Sequence, residues 1–131
     1  MPDKAVWLVL CGLVLGCDER ERLVFETDPT DRVGPGTVIN PPSQDTTLTE
    51  GDFFVIGART VDTSGVDSVF IQVSGANLNY LPIEAGGVDT LTFSLNLPTI
   101  GLSGRTVTFE VFGVDIIGNV GPTVTRRISI E

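Results

Sequence analysis

The sequence predicts an all-β domain, a sandwich of about seven short strands in two packed sheets. From Thr37 onward, runs of alternating apolar and polar residues recur, and because side chains alternate across a strand each run has one face to bury. Clusters of Gly, Pro, Asp, Ser and Asn separate these runs, as turns separate strands. No part of this region carries apolar residues at helical spacing, so nothing competes with the all-β reading.

The chain has 131 residues and a formal charge of −9, with seventeen acidic residues against eight basic ones. That length suits one domain. An acidic field disfavours nucleic acid and anionic lipid headgroups, which attract basic patches. There is no histidine, which removes Ser-His-Asp and Cys-His catalysis and any imidazole metal ligand. The cysteines, Cys11 and Cys17, both lie near the N-terminus, where a disulfide would staple nothing.

The N-terminal residues read MPDKAVWLVLCGLVLGC. Lys4 precedes an apolar run from Ala5 to Leu15. As a helix that run would span ~16 Å, about half of a bilayer's hydrocarbon core, which is the length of a signal-peptide core and short for a membrane span. Its end, Val14-Leu15-Gly16-Cys17, resembles the lipobox of bacterial lipoproteins: an aliphatic residue, a tolerated one, a small one, then cysteine. The resemblance implies cleavage before Cys17 and acylation of its thiol and new amine, palmitate-type chains that give stable anchoring where one chain would be marginal. Ordinary secretion with Cys17 incidental is the plainer alternative, and an uncleaved apolar anchor a third.

Residues 17–36 read as the lipidated cysteine and a flexible acidic tether. The stretch DERERLVFETDPTDRVGPG is too charged to bury a core of its own. As a coil it would hold the domain roughly 25 Å from the lipid surface. Leu23-Val24-Phe25 either adds a strand to the domain or packs at the membrane, and the sequence leaves both open.

The sandwich is expected over residues 37–131. Thr37-Val38-Ile39, stopped by Pro41-Pro42, reads as an edge strand that Thr46 to Thr49 continues after a break. Phe53 to Val61 is a strand with Phe54, Ile56 and Ala58 aligned, and Val66 to Val73 one with Val69, Ile71 and Val73 aligned. Leu78 to Ile83 is a short edge strand broken by Pro82, and Ala85-Gly86-Gly87 a turn. Val88 to Leu97 aligns Leu91, Phe93, Leu95 and Leu97. A closing hairpin aligns Val107, Phe109 and Val111 with Val124, Ile128 and Ile130, while Arg126 falls on the inward parity, expected to snorkel to water near an edge.

Two turns in this region are alike. Val61-Asp62-Thr63-Ser64-Gly65-Val66 and Val114-Asp115-Ile116-Ile117-Gly118-Asn119 both read Val-Asp, two residues, Gly. They resemble the paired D-x-S-G-V and D-x-x-G-N turns of bacterial immunoglobulin-like (Ig-like) repeat domains. The resemblance covers residues 37–131. It implies an Ig-like Greek-key β-sandwich with a role in spacing, adhesion or contact, usually without catalysis. The antibody-type cysteine pair is missing.

Asp62 and Asp115, with Gly65, Gly118 and Asn119, are expected to be structural: a D-x-x-G spacing lets each carboxylate bind amides of its own turn. Asp62, Asp67 and Asp115 together are the weaker candidate for a calcium site, since calcium takes oxygen ligands; otherwise no cofactor is expected. For partner contact, matching apolar faces pairs Val107 with Ile130 and therefore Glu110 with Arg127. Setting Val66 beside Asp115 brings Phe70 next to Phe112 on the outward face. Phe70, Phe112, Glu110 and Arg127 are the candidate contact residues; the plainer reading of the two rings is sheet stabilisation or cover by another segment.

The sequence thus points to a lipoprotein of the bacterial cell envelope, facing the periplasm or exterior. It is anchored to the membrane through Cys17 and presents a non-catalytic Ig-like module to an envelope protein or surface partner. A calcium-stabilised adhesion module is one alternative, and an envelope hydrolase or an inhibitor of one is another.

Overall fold

A computed structural model describes residues 32–131. Cys17, the apolar run and Leu23-Val24-Phe25 lie outside the described residues. Six strands follow in order: β1 (Gly36–Ile39), β2 (Thr46–Leu48), β3 (Phe53–Ser74), β4 (Ile83–Pro98), β5 (Thr106–Asp115) and β6 (Val124–Ile130). The described residues contain no helix. Hydrogen bonding runs β1-β3-β5-β6-β2, with β4 also on β3.

This single ladder curls into an Ig-like β-sandwich through β3. The first part of β3 pairs with β4, from Phe53↔Pro98 to Val61↔Thr90, and with β1. Its second part pairs with β5, from Val66↔Asp115 to Ser74↔Thr108. Two layers result, and Ile39, Ile56, Leu95 and Leu97 of one bury themselves against Val69, Ile71, Val107, Phe109 and Ile128 of the other. Every strand face expected to be apolar from its alternation points into this core or its margin.

Six strands appear instead of about seven because two expected turns are bends within strands. Val61 to Gly65 does not end a strand; β3 runs through it as β1 gives way to β5, while β4 stays paired, after a register shift, as far as Val69↔Ile83. The bend rests on Gly65, at φ 101°, where an added Cβ would stand 2.6 Å from the Gly87 carbonyl oxygen. Opposite it, Gly86 and Gly87 also take positive φ, so Ala85-Gly86-Gly87 becomes an irregularity inside β4. The expected edge strand at Leu78 to Ile83 is reduced to Ile83, and Tyr80 instead donates its hydroxyl to the Asn96 carbonyl at 2.5 Å.

The described compact unit runs from Arg32 to Glu131. Pro35 is buried. It can lie there because Gly121 has no side chain; a Cβ at Gly121 would collide with the Pro35 carbonyl.

The closing hairpin keeps its expected faces but not its register. Val107 opposes Ile128 and Val111 opposes Val124, a slip of two residues from the expected pairing. Glu110 therefore faces Thr125, not Arg127, and Arg127 faces Thr108. The slip places Arg126 opposite Phe109 on the inward side. It also fits the parallel pairing of β2 with β6, Thr46↔Ile128 to Leu48↔Ile130.

Arg126 is where the two halves of the first edge strand are joined. β1 belongs to one layer and β2 to the other, and the residues between them cross from one to the other. Both Asn40-Pro41 and Pro41-Pro42 are cis. The crossing chain turns its carbonyls toward the guanidinium: Nε donates to Pro42 O at 3.1 Å, and Nη2 to Ile39 O at 3.2 Å and Ser43 O at 3.0 Å, while Nη1 reaches Thr125 O at 3.0 Å. The expectation that Arg126 simply snorkels to water is corrected here; its fork is spent on backbone acceptors. Arg126→Met should lower stability by about 2 kcal/mol, since three carbonyls of the crossing lose a charged donor. Arg127→Gln, which breaks an exposed 3.9 Å ion pair to Asp45, should cost at most ~0.5 kcal/mol. Urea unfolding midpoints compare the two.

Candidate functional site

Alternation along β3, β5 and β6 leaves one face of their layer turned away from the core. On it Phe70 lies directly opposite Phe112. The rings are stacked, centroids 5.2 Å apart and planes 13° from parallel. Such a cross-strand pair adds roughly 0.5–1.5 kcal/mol beyond its burial. Both rings are half-buried, so the stack covers part of its own surface and leaves the rest open.

The polar residues around the stack follow from the ladder. Gln72 opposes Glu110, which opposes Thr125 on its other side. Ser74, Thr108 and Arg127 form the next row. Arg127 is drawn to the edge, where Asp45 Oδ2 lies 3.9 Å from Nη1 and Asp45 Oδ1 accepts the Arg127 backbone N–H at 2.9 Å. Of the four candidate contact residues, Phe70, Phe112 and Glu110 sit in neighbouring rows. Arg127 is one row further and already engaged.

The two alike turns lie side by side, joined by a hydrogen bond from the Ile116 amide to the Gly65 carbonyl at 3.0 Å. Asp62 Oδ1 accepts the Ser64 amide at 2.7 Å. Asp115 is 1% exposed. Its Oδ1 accepts the amides of Ile117 and Asn119 at 2.9 and 2.8 Å, and its Oδ2 accepts Asn119 Nδ2 at 2.8 Å. Gly118 closes this turn at φ 100°. Burial works to raise the Asp115 pKa, but the hydrogen bonds from the Asn119 side chain and from the Asn119, Ile117 and Gly118 amides outweigh it, so the pKa lies below the ordinary carboxylate value. Asp67 is exposed and accepts the Ser68 hydroxyl at 3.3 Å. Among the described residues no three Asp, Glu, Cys or His side chains are placed to hold a metal ion.

One feature of the other layer was not singled out from the sequence. An open concavity of about 730 Å³ lies against the outward side of β1, β3 and β4, lined by Val38, Val55, Arg59, Thr92 and Ser94 among others. Gly57, which carries no side chain, is part of its lining. The signal was present: the parity that buries Phe54, Ile56 and Ala58 turns Phe53, Val55, Gly57 and Arg59 outward.

No protein-family model matches this chain, and no curated protein matches it significantly. Solved structures do. The SrpA adhesin from Streptococcus sanguinis superposes with a TM-score of 0.55 at 18% identity, over 80% of this chain and 60% of that one. Fibronectin(III)-like modules of CbhA from Clostridium thermocellum give 0.54 at 15% identity, over 76% of this chain and 47% of that one. The sialic acid binding region of the Streptococcus sanguinis SK1 adhesin, bound to 3'sLn, gives 0.51 at 17% identity, over 77% of this chain and 30% of that one. The chain therefore spans between about a third and three-fifths of these solved chains. At these identities the likeness establishes the Ig-like sandwich.

The Asp115 turn should make stability acid-sensitive. A carboxylate with a lowered folded pKa stabilises the fold above its unfolded pKa, and that contribution fades as pH falls through the folded value. Asp115→Asn should cost about 1–2 kcal/mol at neutral pH. It should also flatten the loss of stability below about pH 4, as read by thermal melts across pH.

Proposed function

We propose that this chain is a bacterial cell-envelope lipoprotein, anchored through acylated Cys17, whose Ig-like domain serves non-catalytic contact with another envelope or surface protein. The Phe70–Phe112 stack carries the reading. It is a large aromatic surface on the outward side of a layer whose core is already filled by Phe109, Val111 and Ile71. Aromatic side chains are enriched at the centres of protein interfaces because they bring contact area at little cost in conformational freedom. Gln72, Glu110 and Thr125 form the row beside the stack and supply polar groups at that margin, as the rim of such a centre does.

Other features agree. The solved domains with this architecture include portions of adhesins, one of them a sialic acid binding region. For this chain a protein partner suits the geometry better than a sugar, because each ring spends one face on the other ring. The sequence contains no histidine, and the two turn carboxylates nearest to an acid–base pair are occupied by their own turns.

Anchoring and contact are tested separately. Cells fed a clickable fatty acid should label the full chain, and Cys17→Ser should abolish the label; labelling that survives the substitution rejects the lipobox assignment. For contact, the full chain is crosslinked in its own envelope and purified. A specific crosslinked species should be lost in the Phe70→Ser, Phe112→Ser double variant and kept in Val55→Ser, which alters the other layer. Equal crosslinking in all three, with melting curves showing each variant folded, would place any contact elsewhere.

A further inference from the structure

β4 presents a long edge on the layer opposite the aromatic stack. Its direction follows from β3. Gly57 exchanges backbone hydrogen bonds with the Asn40–Pro41 segment, its carbonyl accepting from the Asn40 amide at 2.8 Å and its amide donating to the Pro41 carbonyl at 2.9 Å. Residues of that parity on β3 therefore face β1, and Ile56, Ala58 and Thr60 turn their N–H and C=O groups to β4. Their partners Leu95, Phe93 and Leu91 are thereby satisfied. Thr90, Thr92, Ser94 and Asn96 must point theirs the other way, where β4 has no neighbouring strand among the described residues. At Asn96 the Tyr80 hydroxyl caps the carbonyl. Thr90, Thr92 and Ser94 have no backbone partner on that side among the described residues.

Sheet edges in natural proteins are usually blunted by short strands, charges, prolines or bulges. Here β1 and β2 are blunted by length, four and three residues. β4 is not. Its irregularity at Gly86-Gly87 lies before the open stretch, no charged residue occurs from Thr90 to Gly104, and the first proline is Pro98. The inward side chains along this edge, Leu91 and Phe93, remain only half-buried while Leu95 and Leu97 are buried. A strand added beside β4 would complete both the backbone pairing and the cover of Leu91 and Phe93.

That strand needs apolar residues on alternate inward positions and uncharged polar residues between them. Among the described strands longer than four residues, the one with such an uncharged run is β4 itself, Thr90-Leu91-Thr92-Phe93-Ser94-Leu95. We infer that the partner at this edge is a second copy of the chain, its β4 antiparallel to the first across a two-fold axis at Thr92. Thr92 then opposes the second copy's Thr92, and Thr90 opposes Ser94 in both directions. These are hydrogen-bonded pairs, each exchanging two N–H···O bonds. Leu91 meets Phe93 on the inward side, and no like charges face each other. The contact is isologous, so it closes at two copies and uses up the open edge of each. Edge pairing buries little area, and a weak, micromolar-to-millimolar dimer is expected.

The test is sedimentation equilibrium of the full chain in density-matched detergent, from micromolar to millimolar concentration, with amide hydrogen exchange at Thr90, Thr92 and Ser94 followed over the same range. The wild type should dimerise, with exchange at those amides slowing as the dimer fills. Thr92→Lys sets two ammonium groups against each other, and Thr92→Pro removes an edge donor without touching the bonds to β3. Each should weaken the dimer at least about tenfold and leave the melting curve near wild type. Phe70→Ser should leave the dimer intact. A wild type that stays monomeric to millimolar concentration overturns the inference. So does a dimer that both Thr92 variants preserve, or one formed without slower exchange at the three amides.

Discussion

The whole domain hangs on one strand that bends without breaking. β3 supplies the hydrogen-bonding partner for β1, β4 and β5, and β6 and β2 follow through β5. A backbone buried in a core must satisfy each N–H and C=O. Bending a strand that serves three neighbours is possible only where its ladder can change hands. That happens between Val61 and Val66: β1 and the Thr90–Pro98 stretch of β4 let go as β5 takes over. Gly65 supplies the positive φ of the bend, and the missing side chain lets the Gly87 carbonyl approach. The bend folds one sheet into two layers, and the carboxylates of Asp62 and Asp115 bind the two turns that meet there.

The other end of the sandwich has the opposite problem. The first edge strand must leave one layer and join the other, and the crossing chain contains two prolines that cannot donate to either ladder. Its carbonyls need donors from elsewhere. A lysine could reach one or two of them as a point charge. The guanidinium fork of Arg126 reaches Ile39, Pro42 and Ser43 together, and its own neighbour Thr125 as well. An arginine on an inward-facing position, which looks like an error of patterning, is what holds the crossing to β6.

Parity was legible in the sequence and register was not. Alternation decides which face of a strand is buried, so Ile56, Val69, Leu95, Phe109 and Ile128 could be assigned to the core before any pairing was known. A slip of two residues preserves every one of those assignments. That is why Val107 could be set against Ile130 with no violation of pattern, although it lies opposite Ile128. Between β3 and β5 the paired turns set Val66 beside Asp115, but strict pairing from there would put Phe70 opposite Val111; a one-residue irregularity between Val66 and Ser68 brings it opposite Phe112, the residue of matching outward parity. The hairpin register depended on β2 and on the carbonyls around Arg126, contacts between segments more than eighty residues apart in sequence. The continuity of β3 and β4 was hidden for a related reason. A Gly with positive φ marks a turn and a strand bend equally well, and only the neighbouring strand decides between them.

The same distinction separates the candidate surfaces. The acidic turns are the sequence's most conspicuous feature, yet the Asp115 carboxylate is filled by the donors of its own turn and Asp62 is bonded within its own. A group that has satisfied its lone pairs locally has less left to offer a partner. The outward side of β5 is the reverse case. Phe112 lies outside the buried core, and an apolar side chain left half in water contributes only part of its burial to stability. Its neighbour across the ladder, Phe70, stands in the same position. Stacking the two rings recovers some of that loss, but the recovery requires both to be aromatic together. A pair that is mutually dependent, outward-facing and outside the core is the feature on which the proposed contact rests.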